Sequence, residues 1–119
     1  MNYEEMSDFE INKLVVLAID TDGDIESVTQ RKSKLKCISN QALVKLNDIN
    51  EPEPFNPCNN PSDAWSIILE NKINIEWRDS LKLHPLAKGT GGNACHWSDK
   101  NPLRAAMICF LKMKDAENA

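Results

Sequence analysis

The sequence predicts a single α+β domain in which a small antiparallel sheet packs against about three helices. Three local signals lead to this prediction. Asn-Pro pairs at Asn60 and Asn101 and a Ser-x-x-Glu pattern at Ser7 are typical helix starts. Apolar and polar residues alternate over 73–77, as in a strand with one buried face. A chain of 119 residues supplies one modest core, so we expect residues 1–119 to form one domain.

Composition and charge exclude several classes of partner. The formal net charge is −4, whereas proteins that bind nucleic acid polymers present a positive face, and the basic run 31–36 is interpreted as a solvated loop or strand face. No apolar run approaches the roughly 18 residues of a membrane-spanning helix. The acidic N-terminal residues lack the positive flank of a secretory signal. We therefore expect a cytoplasmic protein that binds neither nucleic acid polymers nor membranes.

The first helix is predicted to run from Ser7 to about Asp20, with Ser7 as its N-cap and Glu10 completing a capping box. Helical spacing predicts which residues face the core and which face solvent. The inward set is Ile11, Leu14, Val15 and Ala18, and the outward set is Glu10, Asn12 and Lys13.

The acidic segment 20–24 invites comparison with a calcium-binding loop. Its glycine comes two positions too early, and the twelfth position is Arg31 instead of a glutamate. A turn is therefore predicted there.

The middle of the chain carries weaker signals. Residues 25–28 and 34–38 are predicted to be two short strands, and 42–46 a third strand or a brief helical turn. Residues 51–60 form a proline-rich segment that is predicted to be an extended connector without regular structure, with Phe55 anchoring it in the core.

A second helix is predicted over 61–71. Asn60 is its N-cap, Pro61 occupies N1, and Asp63 places a carboxylate near the positive end of the helix. Four apolar residues are assigned to its buried side: Ala64, Trp65, Ile68 and Leu69.

A hairpin is predicted to follow this helix. The strand 73–77 should pair with a strand at 81–83, and a three-residue loop at 78–80 keeps the apolar residues on one face by placing Trp77 opposite Leu81. Residues 94–97 are expected to resume the sheet. The last helix starts at Asn101-Pro102 and carries an apolar stripe of Leu103, Ala106, Met107, Phe110 and Met113.

The four cysteines show no Cys-x-x-Cys pair and are predicted to be free thiols, with Cys109 buried in the last helix. A zinc site is the alternative. It would have to combine Cys58, Cys95 and His96 with His84 or Cys37, which is a set without a recognised ligand spacing. We predict no metal and no cofactor.

No paired carboxylates and no nucleophile with an adjacent base stand at a diagnostic spacing, so catalytic residues are not assigned and the protein is predicted not to be an enzyme. The glycine-rich segment 88–92 lacks the Walker spacing and no helix starts directly after it. It is predicted to be a hairpin tip, with a mobile loop that closes over an anion as the alternative.

Three motifs carry a resemblance to a known family. They are SDFEINK at 7–13, NPCNNPSDAW at 56–65 and NPLRAAM at 101–107. Together with a short hairpin they resemble the NinX family of small tailed-phage proteins. The resemblance implies a viral accessory protein that works in the host cytoplasm and is not a virion component, and it supplies no mechanism.

Two functions are considered for such a protein. The first is non-catalytic sequestration of a small anionic or nucleotide ligand, such as an immune signalling nucleotide, because helix N-termini attract anions. The residues proposed for this site are Asn59, Asn60, Asp63, Asn101 and Arg104, with Trp65 or Trp97 as a stacking face. We expect a homo-oligomer. The simpler interpretation of each Asn-Pro pair is that it only caps its helix.

The alternative function is that of an inhibitor or adaptor that binds a host defence protein. The acidic residues Glu51 and Glu53 beside Phe55 are compatible with an interaction surface of this kind.

Overall fold

The computed structural model describes residues 2–20, 23–35, 40–47, 51–78, 83–90 and 95–117. Over these residues it contains three α-helices and two antiparallel sheets of three strands each, which confirms the predicted α+β class. The chain divides into two compact units, Met1–Asn56 and Pro57–Ala119. The boundary falls within the predicted connector 51–60, and the single domain stays a prediction. Within the described ranges, no helix is long and apolar enough to cross a bilayer.

The first unit combines one α-helix with a sheet of strand order β1-β2-β3. Its elements are a 3-10 helix at Tyr3–Glu5, α1 (Asp8–Ile19), β1 (Ile25–Gln30), β2 (Ala42–Leu46) and β3 (Glu53–Phe55). The Ser7 hydroxyl accepts a hydrogen bond from the Glu10 N–H at 3.2 Å, which confirms the predicted N-cap. Ile11 and Val15 are fully buried, as predicted.

The carboxylate of Asp20, just after α1, accepts two hydrogen bonds from backbone amides at the start of β1. Its Oδ1 accepts from the Asp24 N–H at 3.1 Å and its Oδ2 from the Ile25 N–H at 3.3 Å. Gly23 has φ +71°, a left-handed conformation that glycine adopts without steric cost. Both carboxylate oxygens of Asp20 therefore accept from backbone amides, while residues 21 and 22 of the predicted turn lie outside the described residues.

Two predictions for the middle of the chain need correction. Residues 53–55 are not an irregular connector, because they pair antiparallel with β2, with Ala42 opposite Phe55. Pro54 is tolerated because β3 is an edge strand, where a missing N–H breaks no ladder. The predicted strand at 34–38 is not formed at Lys34 and Leu35, which lie in a bend, and its other residues lie outside the described part. The strand at 42–46 is confirmed.

The prediction that Asn12 faces solvent is wrong. Asn12 is fully buried, and its Nδ2 donates to the backbone oxygen of Asn40 at 2.8 Å and to Oδ1 of Asn56 at 2.8 Å. Asn40 lies just before β2 and Asn56 just after β3, so one amide ties α1 to two strand ends. Phe55, the predicted anchor, is only half-buried.

The second unit packs its last helix on a sheet of order β4-β5-β6. Its elements are α2 (Pro61–Glu70), β4 (Asn74–Glu76), β5 (Leu86–Lys88), β6 (His96–Ser98) and α3 (Pro102–Glu117). Seven consecutive α3 residues, 105–111, are buried, so α3 is enclosed on more sides than a single stripe requires. Leu103 and Met113, at the two ends of the predicted stripe, are half-buried.

The sequence analysis paired the strand at 73–77 with the wrong partner strand. Ile75 lies opposite Ala87 in β5, and β4 ends before Trp77, which is 73% exposed. Leu83 is exposed and outside any strand, while Asp79, Ser80, Leu81 and Lys82 lie outside the described residues. Arg78 follows β4, and its Nε donates to the His84 oxygen at 2.8 Å and its Nη2 to Ser98 Oγ at 2.7 Å. The predicted return of the chain to the sheet is confirmed by β6.

The predicted face of α2 also needs correction. Its buried residues are Ala64, Ile67 and Ile68, whereas Trp65 and Leu69 are 61% and 60% exposed. Each residue advances about 100° around a helix, so Trp65 and Leu69 lie well to one side of the arc centred on the buried residues. Ile67 was the core residue that the sequence pattern missed.

We predict that Asn12→Ala lowers the free energy of unfolding by about 1–3 kcal/mol, because the Asn40 carbonyl and the Asn56 amide oxygen lose a buried donor. Chemical denaturation measures the change. Asn2→Ala is the control, since Asn2 is exposed and makes no side-chain cap bond. Equal stability of the two variants would show that the Asn12 amide does not hold the first unit together.

Candidate functional site

The start of α2 uses its own N-cap residue to satisfy its first amides. The Asn60 Oδ1 accepts from the Ser62 N–H at 3.0 Å. The Asn60 backbone oxygen accepts from the N–H groups of Asp63 at 3.1 Å and Ala64 at 3.2 Å. Pro61 has no N–H to offer. The predicted N-cap is therefore confirmed, and the first-turn amides that an anion would use are already engaged.

The start of α3 repeats this arrangement. The Asn101 Oδ1 accepts from the N–H groups of Leu103 at 3.0 Å and Arg104 at 3.4 Å. Its backbone oxygen accepts from the Ala105 N–H at 3.0 Å. Pro102 again contributes no donor. Both Asn-Pro pairs are thus complete helix caps.

The amide nitrogen of Asn101 connects the two helix starts. Its Nδ2 donates to the backbone oxygen of Cys58 at 2.7 Å and lies 3.3 Å from Oδ1 of Asn59. Cys58 is fully buried. One side chain therefore caps α3 through its oxygen and holds the turn before α2 through its nitrogen. The sequence predicted both caps. The repetition of the Asn-Pro pair was the only sequence signal for the hydrogen bonds that join the two helix starts.

Arg104 is paired with a carboxylate that the sequence analysis did not select. Its Nε lies 3.3 Å from Oδ2 of Asp99, and its side chain is only 11% exposed. The Oδ1 of Asp99 accepts from the Asn101 N–H at 3.0 Å, so the same carboxylate also fixes the N-cap. Asp63 lies half-buried in the first turn of α2. The charge of Arg104 is thus balanced within the protein.

The aromatic residue of the proposed site that remains open is Trp65. Together with Pro61 and Ser62 it lines an open depression of about 430 Å³ at the start of α2. Pro61, Trp65 and Leu69 recur every four residues, so they share one side of the helix. All three are exposed, and we call this set the α2 outer face.

Trp97 has a different environment. It lies in β6 opposite Ala87 and is half-buried. The ammonium group of Lys112 is 4.7 Å from the centroid of its ring, which is a cation–π contact. One face of Trp97 is therefore occupied by the protein, and Trp65 is the better placed of the two proposed stacking residues.

The structure thus brings Asn59 and Asn101 into contact, and it places Asn60 at the N-cap of α2 and Asp63 and Trp65 in the first two turns of that helix. A sequence model of the family described as Bacteriophage P22, NinX matches residues 2–114. The chain belongs to this phage NinX family. The matched range includes both helix starts and the α2 outer face. No curated protein and no solved structure matches the chain.

In this NinX-family chain, Cys58, Cys95 and Cys109 are free thiols, in agreement with the prediction, and Cys37 lies outside the described residues. Burial raises the pKa of Cys109 to about 11. Among the side chains that the structure describes, no group of three or more His, Cys, Asp or Glu residues is arranged to hold a metal ion.

Asn101→Asp is expected to lower the free energy of unfolding by about 1–3 kcal/mol. The substitution keeps the capping oxygen but replaces the Nδ2 donor with an oxygen that faces the Cys58 carbonyl. Asn60→Asp is the matched control, because it keeps the capping Oδ1 of α2 and should change stability by less than about 0.5 kcal/mol. Denaturant titration compares the two, and equal losses would contradict the linking role of Asn101.

Proposed function

We propose that this NinX-family protein sequesters a small nucleotide-like ligand in the host cytoplasm, without chemical turnover, by stacking a base on Trp65. The observation that carries the proposal is the exposed indole of Trp65 in the depression that it forms with Pro61 and Ser62. Stacking of a base on an aromatic side chain contributes about 1–3 kcal/mol and is possible for every base.

The helix caps limit the groups that could bind a ligand phosphate. Since the first-turn amides of α2 and α3 are engaged by Asn60 and Asn101, a phosphate would rely on the helix dipole and on side chains. Lys100 is an exposed cation one residue before Asn101, which contacts Asn59 near the start of α2. The sequence analysis did not select Lys100, and we propose it as the charge that neutralises a ligand phosphate.

Sequestration also requires that the ligand be enclosed. Sites for small molecules bury most of the ligand surface, whereas three residues line the open depression at Trp65. We therefore propose that the protein acts as a homo-oligomer in which a second copy completes the wall around the ligand. A bound nucleotide should be recovered chemically unchanged, because this proposal includes no catalytic residue and no cofactor.

We predict that a panel of cyclic and linear nucleotides contains at least one that raises the melting temperature of the wild-type protein. Trp65→Ala should reduce the affinity for that nucleotide about 5- to 160-fold, as expected from the loss of about 1–3 kcal/mol of stacking. Thermal melting followed by titration calorimetry measures both effects. Trp77→Ala is the matched control, since Trp77 is an equally large side chain that is 73% exposed in the same unit.

The control variant should bind as tightly as the wild type. A panel that produces no shift at all, or equal losses in the two tryptophan variants, would contradict sequestration at Trp65. Conversion of a nucleotide during incubation would contradict the absence of turnover.

A second candidate function is supported by Leu69. This residue is 60% exposed one turn beyond Trp65, so the α2 outer face extends beyond the depression as an apolar strip. Tryptophan is enriched among the residues that dominate protein interfaces. The strip would suit an inhibitor or adaptor that binds a host defence protein by its helix surface.

Leu69→Lys separates the two functions. A lysine in the apolar strip should prevent recovery of a stoichiometric host protein in affinity purification while leaving nucleotide binding within about twofold of the wild type, because Leu69 does not line the depression. Ser66→Lys is the control, as it adds the same single positive charge at an exposed position of α2 that is not part of the α2 outer face. Recovery of the same host partner with both variants would contradict the interface.

A further inference from the structure

In the second unit, three sulfur-containing residues lie near the backbone of Gly89. They are Cys95, Cys109 and Met113. The Cys109 thiol donates to the backbone oxygen of Cys95 at 3.2 Å, and the Gly89 N–H donates to the same oxygen at 2.8 Å. A Cβ atom at Gly89 would stand 3.0 Å from the Met113 sulfur and 3.4 Å from the Cys95 nitrogen. Gly89, just after β5, and Cys95, just before β6, therefore lie near the side of α3 that carries Cys109 and Met113.

The two cysteines of this cluster differ in accessibility. Cys95 is half-buried, whereas Cys109 is fully buried beneath it. Burial is the main cause of the raised Cys109 pKa of about 11, opposed in part by the Gly89 N–H, and the charge of Cys95 adds to the rise. The hydrogen bond from the Cys109 thiol to the Cys95 backbone oxygen is the contact that places the two residues next to each other.

We infer that Cys95 and Cys109 form a redox-sensitive dithiol that closes to an intramolecular disulfide in the presence of a small disulfide oxidant such as oxidised glutathione. The Cys109 sulfur lies 3.2 Å from the backbone oxygen of Cys95, and a disulfide requires the two sulfurs to approach to about 2 Å. Rotation of the Cys95 side chain about its Cα–Cβ bond is the motion that would bring them together.

The chemistry proceeds in two exchange steps. The accessible Cys95, as its thiolate, attacks one sulfur of oxidised glutathione, which forms a mixed disulfide and releases one reduced glutathione. Cys109 then loses its proton to solvent and attacks the Cys95 sulfur, which releases the second glutathione. The protein loses two protons and two electrons, and one molecule of oxidised glutathione is reduced to two thiols.

Closure would fix the residue that precedes β6 covalently to the middle of α3. In a reducing cytoplasm the pair remains a dithiol, and the hydrogen bond from Cys109 to Cys95 is the contact observed. Under oxidising conditions the same contact becomes a covalent crosslink. The second unit would thereby respond to the redox state of its surroundings independently of any ligand at Trp65.

The test uses the full chain carrying Cys37→Ser and Cys58→Ala, so that Cys95 and Cys109 are its remaining cysteines. Incubation with oxidised glutathione is stopped by acid and followed by intact-mass measurement and peptide mapping. We expect a product lighter by two hydrogens, with the Cys95 and Cys109 peptides crosslinked and no glutathione retained. Adding Cys109→Ala should instead trap one glutathione on Cys95, and circular dichroism checks that this variant is folded.

The rate of closure provides a second measurement. Because the thiolate fraction of a group with pKa about 11 rises tenfold with each pH unit, decay of the mixed disulfide should accelerate about tenfold per unit between pH 7 and 9. Adding Cys95→Ser should leave the protein without glutathione under the same conditions. A stable adduct on Cys95 in the two-cysteine protein, an unreacted protein, or crosslinked dimers would each overturn the inference.

Discussion

The hydrogen bonds of the Asn101 side chain are the constraint on which the Pro57–Ala119 unit depends. Its oxygen satisfies the first amides of α3, and its nitrogen holds the carbonyl of Cys58 and the side chain of Asn59 in the turn before α2. An N-cap contributes about 0.5–2 kcal/mol, but this one also fixes where the next helix starts. Asp99 orients the same residue by accepting its backbone N–H. Two helix starts that look independent in the sequence are therefore one hydrogen-bonded unit.

This arrangement changes what the helix starts can do. A helix N-terminus attracts anions because its first N–H groups lack partners, and here Asn60 and Asn101 supply those partners. The charge of Arg104 is likewise balanced by Asp99. What the arrangement leaves open is the side of α2 that carries Pro61, Trp65 and Leu69. A binding function in this unit is therefore better supported on the α2 outer face than at the helix ends.

Local signals in the sequence predicted the features that depend on neighbouring residues. Ser7, Asn60 and Asn101 act as caps because capping involves contacts two or three residues away, and the alternation at 73–77 located β4 for the same reason. Partner choice was harder to predict. The alternation of apolar residues allowed Trp77 to lie opposite Leu81, but β4 ends at Glu76 and pairs with β5 instead. Arg78 donates hydrogen bonds to His84 and Ser98, which are distant in the local pattern.

The local sequence pattern did not predict which polar residues are buried and which apolar residues are exposed. Asn12 was assigned to solvent because it is polar, yet it finds two partners far along the chain at Asn40 and Asn56. Trp65 was assigned to the core because it is apolar, yet it lies outside the buried arc of α2 that Ala64, Ile67 and Ile68 form. Each error arises because burial depends on contacts distant in sequence, and the second one concerns the residue that the proposed function uses.

The central claim is that the ligand lies on Trp65 and not on the amides of the two helix starts. Nuclear magnetic resonance can distinguish these locations directly, since the chain has three tryptophans with separate indole N–H signals and Asn101 has a side-chain amide signal of its own. On titration with a nucleotide that stabilises the protein, the account predicts that the Trp65 indole signal shifts while the Asn101 amide signal keeps its position. A shift of the Asn101 amide and the first-turn amides, with the Trp65 indole unchanged, would contradict it.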